Sequence, residues 1–343
     1  MKAIKHIVQF FMVISVCLFT FACFEPRIDT GGLPDEFELV VGIAASKEAT
    51  DRSTINDDAD VIKVYAKVYD SLGNHLPAVD NTGSDIPGVT KLTKSGSSWS
   101  ATINLVNPAS GTITFEIWAV ATSGIHLYEG ESPHVVGTNG NSVTVTTHAV
   151  YTLRSAGQAG GLVFFDKGSY SDGWRYLEAA PYGWYDGESD PYFQWGAYGY
   201  VVDPCATATD VGSGETNTAN IVNYHDLLRT LYPDKGDYYT YPKQYYANND
   251  GTVAAKVCAD YELEKGGVTF SDWFLPSKDE LALLYNNLKA HNVGGFSEYD
   301  WFYWSSSEYD DKNAWTHCFV DEGTFQYYYS KTEWNNVRPV RAF

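Results

Sequence analysis

The sequence predicts an α+β chain in which an all-β sandwich comes first and a mixed, aromatic-rich region follows. Three observations carry that reading. Apolar and polar residues alternate at a period of two through much of residues 36–154, with Gly, Pro, Asn and Ser between the runs. Helical stripes appear only from Ile221 onward, and one of the helices announces its start with the capping box Ser277-Lys278-Asp279-Glu280.

A first strand is expected over 37–43. Ile62, Val64, Ala66 and Val68 then alternate with Lys63, Tyr65, Lys67 and Tyr69, and residues 70–74 read as a turn. The pattern returns at Trp99, Ala101, Ile103 and Leu105, at Ile113, Phe115, Ile117 and Ala119, and at Val143, Val145 and Thr147. Several strands parted by turn residues favour an immunoglobulin-like sandwich, although its Cys-Trp-Cys hallmark is absent. This region holds no nucleophile with a base, no metal spacing and no Gly-rich phosphate loop, so it reads as a spacer or stalk. Asp57, Asp58 and Asp60 lack the full spacing of a calcium loop and read as a solvated turn.

Residues 158–343 begin with Gly160-Gly161 feeding a buried strand at 162–165, then a loop at 166–173 and a strand at 174–177. Ile221, Tyr224, Leu227, Leu228 and Leu231 share one helical stripe, and Val253, Val257, Cys258 and Tyr261 another. The capped helix has Leu281, Leu284, Tyr285 and Leu288 on one face and is expected to end at Gly294-Gly295. His225 and His291 are expected on or near helix surfaces as ordinary polar residues. Residues 325–331 have strand composition, so Tyr327 and Tyr329 share one face and Tyr328 takes the other. Only one face can pack on the domain. Part of the tyrosine run must therefore meet solvent or a partner, and its Tyr, Trp, Ser, Thr, Asn and Asp mixture is the one binding loops use.

The chain opens with Lys2 and Lys5, continues with an apolar stretch at 7–22 and reaches Cys23, the layout of an export signal over 1–22. That stretch is short for a membrane-spanning helix. Phe21-Ala22-Cys23 resembles a bacterial lipoprotein cleavage site, loosened at Thr20 and Phe21 in the manner of spirochaete signals, so Cys23 is the expected lipid attachment point. A plain secretory signal cut near Ala22 is the alternative. Residues 23–35, with Pro26, Gly31, Gly32 and Pro34, read as a tether. Loss of Cys17 and lipidation of Cys23 leave Cys205, Cys258 and Cys318. Export permits a Cys205–Cys258 bridge, which sequence separation does not decide. The cysteines are too scattered for a zinc site. A formal charge of −20 with no basic stripe argues against nucleic acid as a partner.

Five ordered blocks then carry a resemblance: 160–166 (GGLVFFD), 174–181 (WRYLEAAP), 272–281 (DWFLPSKDEL), 303–308 (YWSSSE) and 337–343 (VRPVRAF). They resemble the Legionella-collagen-like-lectin carboxy-terminal domain family, in particular its variable members diversified by retroelements, of the treponemal variable protein type. The resemblance covers nearly all of 158–343 and none of 36–154. It implies a C-type-lectin-like fold of the formylglycine-generating-enzyme subclass, with 304–343 as a variable, ligand-binding face. In such proteins, mutagenesis at template adenines rewrites chosen codons. The products of an asparagine codon include the residue types found at Asn313, Thr316, His317, Cys318, Val320, Asp321, Thr324, Tyr327, Tyr328, Tyr329, Ser330, Thr332, Asn335 and Asn336. These, together with Trp334, are the candidate ligand-binding residues. Lys312, Glu322, Glu333 and Trp334 do not arise from that codon class.

A surface that tolerates arbitrary side chains must stand on fixed anchors, because core truncations cost about 2 to 5 kcal/mol. Trp304, Trp315, Phe319, Phe325 and Val337 are the expected anchors. Arg338 and Arg341 are expected to fork onto buried carboxylates, with Asp272 and Glu308 as candidates. Ser305, Ser306 and Ser307 read as hydrogen-bonding to loop backbone, with no motif-linked histidine to make them catalytic. The reading is a non-enzymatic surface lipoprotein or adhesin at the outer membrane or cell surface. It takes a protein or glycan ligand and needs no cofactor or metal. The rivals are a formylglycine-generating-type oxidoreductase, which would have to employ Cys318, and a passive envelope protein. His317 beside Cys318 does not make a catalytic pair, since neighbours on a strand point apart.

Overall fold

The computed structural model describes residues 36–42, 61, 63–96, 98–107, 109–121, 124, 126–231, 252–297, 302–320 and 325–343. The export signal, the whole tether with Cys23, Asp57, Asp58, Asp60, Asp321 and Thr324 lie outside them. The described part is mostly β with few helices.

Alternation builds the first region. The strands are β1 (Glu36–Gly42), β2 (Lys63–Asp70), β3 (His75–Leu76), β4 (Thr90–Lys91) and β5 (Thr93–Ser95), followed by β6 (Ser98–Asn104), β7 (Thr112–Val120), β8 (His126–Val135), β9 (Ser142–Thr146) and β10 (His148–Ala149). One sheet has the order β5-β6-β1-β9 and the other β10-β8-β7-β2-β3, with β4 also on β2. Phe37, Leu39 and Val41 of β1 meet Val64, Ala66 and Val68 of β2 and Phe115, Ile117 and Ala119 of β7 in one core. All five expected strands are present; β3, β4, β5 and β10 are short additions and β8 is a long one. Glu129, Glu131 and Pro133 blur its alternation. Its Gly130 is required by a close approach, since a Cβ there would stand 2.2 Å from the Thr146 carbonyl oxygen.

The second region starts with β11 (Leu162–Ser171) and β12 (Trp174–Ala179), then β13 (Tyr192–Gln194), α1 (Gly214–Leu231) and α2 (Ala254–Ala259). The hairpin β14 (Leu263–Lys265) and β15 (Val268–Phe270), helix α3 (Lys278–Asn287) and β16 (Phe302–Glu308) come next. β17 (Asn313–Cys318), β18 (Gln326–Ser330), β19 (Trp334–Asn336) and β20 (Val340–Ala342) complete it. β11, β12 and β20 form a three-stranded sheet, and a five-stranded sheet runs β13-β19-β16-β17-β18.

Three helix expectations need correction. The cap of α3 is as expected: the Ser277 hydroxyl accepts from Glu280 N and the Glu280 carboxylate accepts from Ser277 N. Its end is earlier, at Asn287, because a short 3-10 turn over Lys289–His291 and a left-handed Asn292 stop it before the glycines. On α1, Leu227 is exposed, whereas His225 is buried with its Nδ1 2.8 Å from Ile221 O. The buried face of α1 is partly polar. Thr218 and Asn217 turn inward because Thr218 Oγ1 exchanges hydrogen bonds with Leu275 and Asn217 Nδ2 donates to Ala208 O.

Cys205 is exposed and Cys258 fully buried, both as free thiols, so the open question of a bridge is answered against it. Burial pushes the Cys258 thiol well up.

The two regions touch along β12. Arg175 pairs with Glu129 of β8 as well as with Asp166. Tyr151 packs edge-on against Tyr176 at 5.3 Å and Phe343 at 4.9 Å, and the Tyr170 ring stacks on His148 at 4.1 Å.

Candidate functional site

The carboxy-terminal strands are held from beneath by buried charge. Arg338 spends its whole guanidinium. Nε and Nη2 fork onto Asp190 at 2.5 and 2.7 Å, while Nη1 and Nη2 reach the carbonyls of Ala180, Gly294 and Gly295. Asp190 also accepts from Trp184 Nε1 and the Tyr303 hydroxyl. Arg341 forks onto Asp272 at 2.7 and 2.8 Å and sends Nη1 to Glu178 and Gln158. Both arginines therefore fork as expected, but only Arg338 does so onto a buried carboxylate, since the Asp272 side chain is 51% exposed. Asp272 is correct for Arg341, whereas the partner of Arg338 is Asp190 and Glu308 serves another cation.

That cation is Lys331, fully buried, 2.5 Å from Glu308 Oε1 and donating to Tyr200 O at 2.9 Å. Its ammonium lies 4.8 Å from the Trp195 ring centroid. Burial lowers the Lys331 pKa, and the Glu308 contact opposes the shift. Glu308 in turn accepts from Val202 N. Two of the three serines between Trp304 and Glu308 bond to backbone as expected, Ser305 Oγ donating to Trp315 O and Ser307 Oγ to Ala208 O, whereas the buried Ser306 hydroxyl has no partner among the described residues.

On this base stands the hairpin β17–β18. Trp315 lies opposite Tyr328, Thr316 opposite Tyr327 and Ala314 opposite Tyr329. Tyr328 and Tyr309 stack in parallel at 4.2 Å, Tyr327 stacks beside Tyr328 at 5.0 Å, and Trp315 meets Tyr309 edge-on at 5.0 Å. Lys278 sits 4.3 Å over the Trp315 ring. Tyr327 is 47% exposed, Tyr328 37% and Tyr309 44%, so the rings form a solvent-facing aromatic surface. Tyr329 is half-buried against Phe302 at 4.6 Å, and burial raises its pKa.

The candidate residues divide by placement. Tyr327, Tyr328 and Trp334 are exposed, and Asn313, Val320, Tyr329, Ser330 and Thr332 half-buried. Asn313 is bound to Asp310 through Nδ2, and the Ser330 and Thr332 hydroxyls share a hydrogen bond at 2.8 Å. Thr316, His317, Cys318, Asn335 and Asn336 are buried, which corrects their expected outward display. Packing layers cover them: Ala314 and Trp304 lie in one core cluster beneath β17, and Tyr285 and Phe319 lie in another against His317. Thr316 Oγ1 donates to Tyr327 O, Asn336 Nδ2 donates to Phe302 O, and His317 packs between Tyr285 and Phe319. Trp334 belongs to β19, three strands from β18 and hence about 14 Å away. The tyrosine surface does not include it.

Among the expected anchors, Trp304, Phe319 and Val337 are buried and Trp315 half-buried, but Phe325 is 49% exposed and belongs to the surface instead. Sequence reasoning missed Tyr309 and Lys278. Tyr309 follows directly on the Ser305–Glu308 block, and pairing that strand with 313–318 would have brought it beside the tyrosine run. Among the described residues, no group of three or more His, Cys, Asp or Glu side chains is placed to hold a metal ion.

No protein-family model matches this chain, and no curated protein does. A solved structure does. The crystal structure of a fimbrial protein from Bacteroides ovatus is similar over 90% of this chain and 71% of that one, at 13% identity and a TM-score of 0.32. The functional reading rests on the geometry of the site itself.

Proposed function

We propose that this chain is a lipid-anchored surface receptor or adhesin that binds a protein or glycan ligand through its carboxy-terminal face. In this reading residues 158–343 adopt a C-type-lectin-like fold of the formylglycine-generating-enzyme subclass, 36–154 form an immunoglobulin-like stalk and 304–343 carry the diversified positions. The observation that supports it is the stacked, solvent-facing set Tyr309, Tyr328 and Tyr327, held on strands fixed by buried ion pairs. Rigid aromatic groups offer wide contact area at small entropy cost, and a fixed base keeps them preorganised. The five buried candidates act as support, leaving the exposed and half-buried ones to vary.

Gene sequences from several isolates test this. Substitutions should concentrate at template adenines in the codons of solvent-facing residues such as Tyr327 and Tyr328, and spare Trp304, Lys331, Asn336 and Arg338. Changes spread evenly along the gene, or falling equally on buried and exposed codons of 304–343, would defeat it.

A further inference from the structure

β18 is the last strand of its sheet, and no strand among the described residues pairs with its outer side. The direction of its main-chain groups follows from two bonds. Cys318 N donates to Phe325 O at 3.1 Å and Lys331 N to Lys312 O at 2.8 Å, one beyond each end of the strand. Opposed residues of an antiparallel pair alternate between bonded and non-bonded. The register between those bonds is unbroken, so Tyr327 and Tyr329 direct their N–H and C=O toward β17. Gln326, Tyr328 and Ser330 direct theirs away from the sheet. Ser330 O is taken by Glu333 N. The open edge therefore presents both main-chain groups of Gln326 and Tyr328 and the N–H of Ser330.

Proteins ordinarily guard such an edge with charge, proline or a bulge. Elsewhere in this molecule β5 carries Lys94 on its edge, and β11 breaks register twice against β12. β18 reads Gln-Tyr-Tyr-Tyr-Ser, with no charge, no proline and no register shift. Its rings line the edge in contact with one another, Tyr328 between Trp315 at 6.0 Å and Tyr327 at 5.0 Å, and Tyr327 also edge-on to Tyr329 at 5.4 Å.

We propose that β18 binds an extended peptide by strand addition, a reading that rests on the carboxy-terminal face being the recognition surface and names its ligand class. Main-chain bonds to Gln326, Tyr328 and Ser330 supply affinity, and the tyrosines select side chains at alternating positions of the guest. Five residues span about 17 Å, enough for a short segment. The formal charge of −20 favours a neutral or basic peptide. The same charge disfavours a second copy of this chain as the occupant, since two such molecules repel.

The test selects linear peptides from a phage-displayed random library on the full chain and measures the best of them against two variants. Tyr328→Ala removes the ring; Tyr328→Pro removes the ring and the outward N–H, at an edge position where proline is tolerated. Strand addition predicts that Tyr328→Pro binds about tenfold more weakly than Tyr328→Ala, at unchanged unfolding midpoint. Against the unaltered chain, N-methylation of the peptide should abolish binding at every second residue and be tolerated between, a readout independent of how the variants fold. Equal affinity for the two variants with no alternation on N-methylation overturns strand addition; a shared loss relative to the unaltered chain would still leave the ring surface as the recognition site. Failure of the library to yield a peptide, or self-association of the chain through this edge, also overturns the proposal.

Discussion

His317 shows how an ordinary residue becomes informative once its surroundings are known. It is 4% exposed, neither ring nitrogen has a hydrogen-bond partner, and it packs against Tyr285 and Phe319. Burial lowers its pKa from 6.5 to about 4. Above pH 6.5 the ring is neutral in both folded and unfolded chains. Between 6.5 and 4 the unfolded chain takes up a proton that the folded one refuses, so stability falls as pH is lowered through that window. The full effect is about 3 kcal/mol. Urea unfolding at pH 7 and pH 4 should show this loss, and His317→Leu should shrink it while leaving the transitions of other groups in place. An unchanged pH slope in the variant would show that the ring is protonated in the folded state.

Among the elements, α3 is the one whose start was most legible and whose end was least. Ser277 closes a reciprocal cap with Glu280, and its hydroxyl also donates to Asp210 O at 2.9 Å. Glu280 is buried, accepts from Gly212 N at 2.7 Å, and has its pKa raised by burial against the pull of these donors. Ser277→Ala should therefore cost about 1 to 2 kcal/mol, at the upper end for a cap, read as a lowered urea midpoint with unchanged m-value. A loss no larger than that of an exposed position would mean the box is incidental. The end of α3 escaped because glycine is only one way to stop a helix. Asn292 supplies the left-handed residue, and the glycines downstream instead offer their carbonyls to Arg338. α1 escaped for a related reason: a helical stripe of leucines predicts a buried face only where the neighbour is apolar, and Asn217 and Thr218 find polar backbone instead.

For the whole molecule, the described residues fall within one unit, Pro34–Phe343. Tyr151 ties its two regions, since it is buried against Tyr176 and Phe343 on β12 and just beyond β20. Removing that ring should cost about 3 kcal/mol. Tyr151→Ala should also separate a single calorimetric transition into two, because the remaining contacts of the junction, the Tyr170–His148 stack and the Arg175 pairs, are partly exposed. Persistence of one sharp transition would place the coupling elsewhere. The same junction orders the carboxy-terminal face. Arg341 on β20 joins Glu178 of β12 to Asp272, and Glu178, its carboxyl raised by burial, accepts from the amides of Ala159 and Gly161.

The sequence by itself determined five strands of 36–154, the α3 cap, the presence of forked arginines and the exposure of part of the tyrosine run. Each of these depends on neighbours within a few residues, or on the simple alternation of a strand. Tertiary structure alone decided that Asp190 receives Arg338, that Lys331 is buried on Glu308, and that Thr316, His317, Cys318, Asn335 and Asn336 are support rather than surface. Strand order was the missing fact. A residue on an edge strand and one on a central strand read alike along the chain, yet the sheet leaves Tyr328 its solvent and takes it from Thr316.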